Sequence, residues 1–179
     1  DEKDNRIKRL RGKFDRVLVD APCTGTGTLR RNPDLKWRLS PEELSRINGL
    51  QHSILEEAAK LVKAGGRVVY ATCSMLFEEN QAVVADFLTK HPDFEQLSAT
   101  EVLAKQGITI PAWVSERFGA NFVMLPHLSD TDGFFGAVLQ KKLPQQAEPV
   151  KPETPTEIAA ETTEVENPTP AAKADKTSA

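Results

Sequence analysis

The sequence predicts an α/β fold with parallel strands and an antiparallel pair of strands at one edge of the sheet. Two apolar runs of the kind found in buried strands cover residues 16–20 and 67–72. The segment between them carries apolar residues at helical spacing. A strand, a helix and a second strand in this order are typical of a right-handed crossover between parallel strands.

The elements before the helix are short. Residues 1–13 are mostly charged and predict a loop or the remnant of a helix. The first strand ends at Asp20, and residues 24–27, with the sequence TGTG, predict a flexible turn. We expect the loop to continue through residues 30–34, because Pro33 disfavours a helix before it.

The central helix has a clear start signal. Ser40, Pro41 and Glu43 have the form of a capping box with proline at the first helical position. The apolar stripe consists of Leu44, Ile47, Ile54, Leu55, Ala58, Leu61 and Val62. Gly65 and Gly66 predict the end of the helix.

The rest of the chain predicts a helix, a weakly patterned region and a hairpin-like pair of strands. A second helix is expected over residues 78–90, before Pro92. Residues 93–120 predict only a short helix, at 99–105. Two apolar runs follow at 121–125 and 134–140, and their short connection favours antiparallel pairing.

We expect two regions in this chain of 179 residues: a folded domain over residues 1–143 and a disordered tail over residues 144–179. Six of the 12 prolines lie in the tail, among Thr, Ala and Glu, so the tail offers too little apolar surface to form a core. The net charge of −3 arises in the tail, because the residues before Pro144 are close to neutral.

The composition of the chain limits the kinds of partner and cellular compartment that we expect. Residues 1–38 carry 11 Lys and Arg against 6 Asp and Glu, a charge that attracts an anionic partner such as nucleic acid but also fits a solvated surface. Two cysteines argue against a disulfide framework, and no signal peptide or membrane-spanning run is visible. We therefore expect a cytoplasmic monomer, and because the chain starts on Asp with no strand before Arg16, a piece of a longer protein.

The candidate chemistry lies at the carboxyl ends of the two predicted strands, where ligands bind in open α/β sheets. Asp20 and Cys23 follow the first strand, and Cys73 follows the second. A thiol near a helix N-terminus and positive charge can be a nucleophile, whereas an isolated cysteine is more often a small buried apolar residue. Asp20 fits either a polar ligand or a turn cap.

Basic and glycine residues follow the first strand. Arg30, Arg31, Lys36 and Arg38 can clamp phosphates or can be solvated loop charges. Gly25 and Gly27 can allow close approach of a ligand or can simply form the turn. His52 and His127 lack metal-site spacing to the cysteines, so we expect no metal.

Three motifs carry a resemblance to a known family. DAPCTGTGTLRRNPD, YATCSM and LPHLSDTDGFFGAVLQK resemble the carboxyl-terminal half of the catalytic domain of the Fmu/Sun family of S-adenosylmethionine-dependent RNA cytosine-5 methyltransferases, over about residues 14–142. The resemblance implies a Rossmann-like class I methyltransferase fold, here its incomplete carboxyl-terminal half. Residues 16–20 and 67–72 would be its fourth and fifth strands.

The resemblance also implies residue roles. Cys73 would be the nucleophile, Cys23 would assist product release, and Asp20 would contact S-adenosylmethionine. The partner would be ribosomal RNA, with transfer RNA as the alternative. This chain departs from the family in lacking the glycine-rich cofactor loop and the acidic residues of the second and third strands.

Two other functions remain open at this point. DNA cytosine-5 methyltransferases use the cysteine of the Pro-Cys motif as nucleophile, but the Thr-Cys motif and the DGFF strand argue against that class. The chain could also be a non-catalytic RNA-binding remnant held by its basic loop.

Overall fold

The computed structural model describes residues 5–144, and the predicted tail lies outside these residues except for Pro144. The helices are α1 (Asn5–Arg9), α2 (Leu35–Arg38), α3 (Pro41–Leu61), α4 (Gln81–Lys90), α5 (Ala99–Ala104), α6 (Ala112–Phe118) and α7 (Pro126–Ser129). The strands are β1 (Phe14–Asp20), β2 (Val62–Thr72), β3 (Phe94–Leu97), β4 (Phe122–Met124) and β5 (Phe134–Lys141). Single 3₁₀ turns cover Thr26–Thr28 and Phe77–Glu79.

The five strands form one mixed sheet in the order β1, β2, β5, β3, and β4 also pairs with β5. β1 and β2 are parallel, whereas β5 is antiparallel to β2, β3 and β4. Among the strands of the described residues, only β5 therefore runs against the others. The predicted α/β class and the antiparallel pairing of the last two apolar runs are confirmed. β3 and β4 lie one after the other along the same side of β5.

α3 starts where the sequence predicts and ends earlier. The hydroxyl of Ser40 accepts a hydrogen bond from the backbone N–H of Glu43 at 3.2 Å, with Pro41 at the first helical position. The reciprocal half of the capping box does not form, because the Glu43 carboxylate pairs with Arg46. α3 ends at Leu61, and β2 begins at once, so Gly65 and Gly66 lie within the strand.

The core lies between the sheet and the helices α3 and α4. It is formed by Val19, Leu55, Ala59, Val62, Val68, Tyr70, Val83, Phe87, Phe94, Val123, Phe135 and Leu139, among others. The prediction that residues 17–19 form a buried strand is only partly right, because Leu18 is 70% exposed. Within the described residues β1 pairs only with β2, so one flank of β1 is open.

Several short elements have no counterpart in the sequence-based prediction. They are the helices α2, α6 and α7, each of about two turns or less, and the four-residue strand β3. Such elements carry too few residues to show a clear period, and their position is set by contacts with the sheet. No helix within residues 5–144 has the length and apolar character required to cross a membrane.

The loops after β1 and β2 meet a third segment at a close backbone junction. The N–H of Gly27 donates to the carbonyl of Cys73 at 2.8 Å, and the N–H of Gly133 donates to the carbonyl of Gly27 at 2.8 Å. A Cβ atom on Gly27 would lie 2.4 Å from the Gly133 oxygen and 2.7 Å from the Cys73 oxygen. Gly27 therefore allows close approach of the chain's own backbone.

We predict that Gly27→Ala destabilises the fold. The added methyl group meets rigid backbone atoms, and forced overpacking costs about 1–3 kcal/mol. Gly49→Ala is the matched control, because a Cβ atom added to Gly49, within α3, would have no neighbouring atom within 4 Å. This control should raise stability by up to about 1 kcal/mol. Urea unfolding gives the free energy of unfolding of both variants. Equal values would contradict the close packing of backbone atoms around Gly27.

Candidate active site

The parallel pairing of β1 and β2 brings the two cysteines together. Asp20 is opposite Ala71 in the register, and the N–H of Ala21 continues the ladder by donating to the Ala71 carbonyl at 2.9 Å. The chain then turns through Pro22 to Cys23, while β2 ends one residue before Cys73. The Sγ atoms of Cys23 and Cys73 are 3.3 Å apart, and both thiols are free and half-buried.

The local environment keeps the Cys23 thiol protonated. Burial raises the pKa of Cys23 to about 12, and the hydrogen bond with Cys73 adds to this effect. Near neutral pH Cys23 is therefore a thiol and can donate its S–H to the sulfur of Cys73. The pKa of Cys23 is thus raised rather than lowered, because desolvation is the largest effect on this thiol.

A buried carboxylate, that of Glu79, joins the loops that carry the thiols. Its Oε1 accepts from the backbone N–H of Thr24 at 2.9 Å and from the side-chain amide of Gln51 at 3.0 Å. Its Oε2 accepts from the hydroxyl of Thr24 at 2.5 Å and from the hydroxyl of Ser74. Thr24 directly follows Cys23, and Ser74 directly follows Cys73, so both loops bond to one side chain.

Further polar groups hold this carboxylate and the second loop. The Gln51 amide, on α3, also donates to the Pro22 carbonyl at 2.8 Å. The hydroxyl of Tyr70 donates to the backbone carbonyl of Glu79 at 2.7 Å. Asn80 accepts from the Thr72 hydroxyl at 2.6 Å and donates to the Ser74 carbonyl at 2.8 Å. The second loop is thus fixed through its own backbone as well as through Glu79.

Asp20 lies apart from this network, at the open flank of the sheet. Its side chain is exposed at the carboxyl end of β1. A groove of about 480 Å³ runs along the strand and is lined by Asp20, by Ser53 and Glu57 of α3, and by apolar residues such as Val17, Leu18 and Ile54. The carboxylate of Asp20 therefore borders a groove whose lining is mostly apolar.

Three of the four basic side chains predicted to bind RNA form exposed ion pairs. Arg30 contacts Asp130 at 3.1 Å, Arg31 makes a two-point contact with Asp132, and Arg38 pairs with Asp34. The ammonium of Lys36 lies 4.8 Å from the ring centroid of Trp37. Exposed pairs of this kind contribute about 0–1 kcal/mol, so a phosphate can replace the carboxylates.

One of these basic residues also borders the thiols. A pocket of about 240 Å³ opens beside Cys23 and is lined by Thr24, Leu35, Arg38, Leu39, Glu43 and Ile47. The structure therefore brings Cys23, Cys73 and Arg38 into one region. Among residues 5–144 no group of three His, Cys, Asp or Glu side chains has a geometry that could hold a metal ion.

The sequence matches a family model over most of its length. The family is described as 16S rRNA methyltransferase RsmB/F, and the match covers residues 2–140. The chain belongs to the RsmB/F methyltransferase family. The motifs that carry the Fmu/Sun resemblance lie within this match except for Lys141, the last residue of the third motif, and the resemblance is thereby confirmed.

Individual relatives agree with this membership of the RsmB/F family. The chain is 44% identical over 131 residues to a probable ribosomal RNA small subunit methyltransferase B of Bacillus subtilis, covering 73% of this chain and 28% of the relative. A ribosomal RNA small subunit methyltransferase B of Yersinia pseudotuberculosis is 43% identical over 130 residues, with 73% and 27% covered. The chain thus spans little more than a quarter of these relatives.

A solved structure supports the fold. The crystal structure of NSun6 from Pyrococcus horikoshii with SFG superposes with a TM-score of 0.60 at 28% sequence identity. The match covers 76% of this chain and 32% of the NSun6 chain. The mixed sheet of this RsmB/F chain is therefore part of a Rossmann-like methyltransferase domain.

Sequence reasoning missed the polar network of this RsmB/F chain. The sequence places Glu79 in the first turn of a predicted helix, where an acidic residue is ordinary. Gln51 lies within the apolar stripe of α3, and a polar residue at a buried helical position was the one available signal. Thr24 and Ser74 gave no signal beyond their position next to the cysteines.

We predict that alkylation of Cys23 has an unusual pH dependence. Iodoacetamide reacts with the thiolate, and an ordinary cysteine reaches its full rate about one unit above a pKa of about 8.5. Because burial raises the pKa of Cys23, its rate should still be rising at about pH 10. Residue-resolved mass spectrometry of the chain between about pH 7 and 10.5 measures this rate.

The urea-unfolded chain is the control for alkylation, because there Cys23 should reach a plateau near about pH 9.5, as an ordinary thiol does. Partial burial slows the reaction of the folded chain at every pH, so the shape of the profile decides the result. A plateau between about pH 8.5 and 9.5 in the folded chain would show that the thiol is not held protonated.

Proposed function

We propose that the protein containing this chain is an RNA cytosine-5 methyltransferase that acts on ribosomal RNA, with Cys73 as the nucleophile. The observation that carries the proposal is the 3.3 Å contact between the Cys23 and Cys73 sulfurs at the carboxyl ends of adjacent parallel strands. The family and its curated relatives support methyl transfer to ribosomal RNA. Cytosine C5 as the target and the covalent route belong to the proposal.

The chemistry requires a thiol because C5 of cytosine is a poor nucleophile. Addition of the Cys73 thiolate to C6 forms a C6–S bond and moves an electron pair toward C5, which becomes enamine-like and can accept a methyl group. After methyl transfer a base removes the C5 proton, the electron pair of that C–H bond restores the C5–C6 double bond, and the C6–S bond breaks to release the thiolate of Cys73. The target base must be unstacked for this attack.

Cys23 takes the second role in this proposal. A thiol with a raised pKa is a poor attacking group but remains a hydrogen-bond donor at neutral pH. Its S–H, 3.3 Å from the Cys73 sulfur, stabilises the departing thiolate when the C6–S bond breaks. Loss of Cys23 should therefore slow product release more than attack.

S-adenosylmethionine is the proposed methyl donor, and when bound it supplies an electrophilic methyl group on a sulfonium. The NSun6 relative was solved with SFG, an analogue of this cofactor. In this chain Asp20 is the residue to which we assign cofactor binding, since its exposed carboxylate borders the groove along β1. We extend the proposal to a cytoplasmic, monomeric protein, and we regard residues 1–143 as the carboxyl-terminal part of its catalytic domain.

We predict opposite behaviour of the two cysteine variants in the complete protein. Cys73→Ala removes the attacking sulfur, so methylation is abolished and no protein–RNA bond forms. Cys23→Ala leaves the attack intact but removes the donor that assists departure of the thiolate, so a covalent species should accumulate. Denaturing gel electrophoresis with labelled RNA and S-adenosylmethionine separates these outcomes.

The reciprocal pattern would assign the attack to Cys23, as in the DNA enzymes. The double variant is the control, because without either thiol no adduct can form. If neither the unmodified protein nor any variant methylates RNA while all of them bind it, the chain is an RNA-binding remnant.

We predict that Arg30→Ala combined with Arg31→Ala weakens RNA binding in the complete protein. If each arginine leaves its aspartate for a phosphate, the slope of log K against log salt concentration should become shallower by about 1.4, which is two contacts at about 0.7 each for single-stranded RNA. A filter-binding or fluorescence titration at several salt concentrations gives the slope.

The matched control for the arginine pair is Arg46→Ala combined with Lys90→Ala. These two residues also form exposed ion pairs, and replacing them removes the same amount of positive charge, but they lie on α3 and α4. Equal slopes in the two double variants would reduce Arg30 and Arg31 to general surface charge.

A further inference from the structure

Glu79 is the one side chain in the described network that bonds directly to the residue after each cysteine. Thr24 donates both its N–H and its hydroxyl to the carboxylate, and Ser74 donates its hydroxyl. The carboxylate is fully buried, and within residues 5–144 it takes part in no ion pair. Hydrogen bonds alone therefore offset the cost of its burial.

We propose that Glu79 is a positioning residue that sets the distance and orientation of the Cys23 and Cys73 thiols. For catalysis this role rests on the function proposed above, whereas the geometric part can be tested in the chain itself. Glu79 does not contact either sulfur and acts through Thr24 and Ser74.

The chemical nature of the carboxylate suits this task. An ionised carboxylate only accepts hydrogen bonds and offers about four lone-pair sites. In this structure four donors occupy them, and these come from three segments: the loop after β1, the helix α3 and the loop after β2. One carboxylate therefore holds all three segments at once.

The division of donors between the two oxygens predicts how glutamine would fit. The groups that bond to Oε1 are N–H groups, which can donate a hydrogen bond but cannot accept one. The amide oxygen of glutamine should therefore take the Oε1 position. The groups that bond to Oε2 are hydroxyls, which can turn and accept from the new amide N–H. Glu79→Gln should therefore keep most of the connection that runs through this side chain. Glu79→Ala removes that connection and leaves the direct contacts between the loops, such as the bond from Gly27 to the Cys73 carbonyl.

Formation of the Cys23–Cys73 disulfide is a direct measure of thiol positioning. Diamide, an azo compound, accepts two electrons and two protons from a pair of thiols and becomes a hydrazine while one S–S bond forms. The closed product is lighter by two hydrogen atoms, which intact-mass spectrometry detects under non-reducing conditions. Because the two sulfurs are already in contact, the unmodified chain should close rapidly.

We expect Glu79→Ala to slow disulfide closure by about tenfold or more, since it removes the four hydrogen bonds that join the two loops and α3. Glu79→Gln should close within about threefold of the unmodified chain. Thr24→Val removes one cross-loop hydroxyl at nearly constant shape, and it should give an intermediate rate even if Glu79→Ala does not fold.

Two neighbours of Glu79 provide matched controls. Glu78→Ala removes an exposed carboxylate from the adjacent position and should not change the closure rate. Asn80→Ala removes a buried side chain whose hydrogen bonds join only Thr72 and Ser74, both on the side of Cys73. At matched loss of stability in urea, Asn80→Ala should close faster than Glu79→Ala.

In the complete protein, positioning predicts a specific kinetic pattern. Glu79→Ala should lower kcat for methylation by about tenfold or more and leave KM for RNA within about threefold, because RNA binding lies elsewhere. Glu79→Gln should recover most of kcat.

The two readouts separate the proposals. If closure depends on Glu79 but the unmodified protein does not methylate RNA, the positioning role stands and the proposed function is wrong. If folded Glu79→Ala closes as fast as the unmodified chain, or if closure falls equally in Asn80→Ala at equal stability, Glu79 is a structural residue only.

Discussion

The site depends on the parallel pairing of β1 with β2. Parallel strands have their carboxyl ends at the same edge of a sheet, and here the register aligns Asp20 with Ala71. Cys23 and Cys73 lie at unequal distances past these aligned residues, and the turn through Pro22 takes up the difference. A slip of one residue in this register would reverse the face of every side chain in β1 and separate the thiols.

Fixing the strands is not sufficient, because loops after strands are the most mobile parts of such folds. The buried polar groups between the two loops provide the additional constraint. Glu79, Gln51 and Asn80 are all 2% exposed or less, which is costly unless each polar atom has a partner. The hydrogen bonds of Glu79 and Gln51 run between the loops and α3, and those of Asn80 hold the second loop. The cost of burial is therefore offset only when the loops adopt this arrangement.

The sequence was sufficient to predict the parts of the structure that repeat. The apolar period and the capping box predicted α3, the apolar pattern predicted α4 and the strands next to the cysteines, and the strand order placed both cysteines at the carboxyl ends of these strands. The sequence was not sufficient where contacts between distant parts of the chain determine the local structure. The exposure of Leu18, the early end of α3 and the short helix α6 have no periodic signal. The buried role of Glu79 was hidden because one acidic residue has the same appearance in a solvated helix turn and in a core.

Cysteine is proposed to serve two purposes in this site, attack and assistance of the leaving thiolate. Cys23 follows Pro22, is partly desolvated and remains protonated at neutral pH, since burial and the neighbouring sulfur both raise its pKa. A protonated thiol in contact with a second sulfur makes that second sulfur a hydrogen-bond acceptor, whether it is about to attack or to leave. Two ionised thiols at this distance would repel each other, so raising the pKa of one lets the pair carry a single negative charge. The proposed assisting role of Cys23 follows from its retained proton, whereas the proposed attack by Cys73 rests on the resemblance to the RNA enzymes.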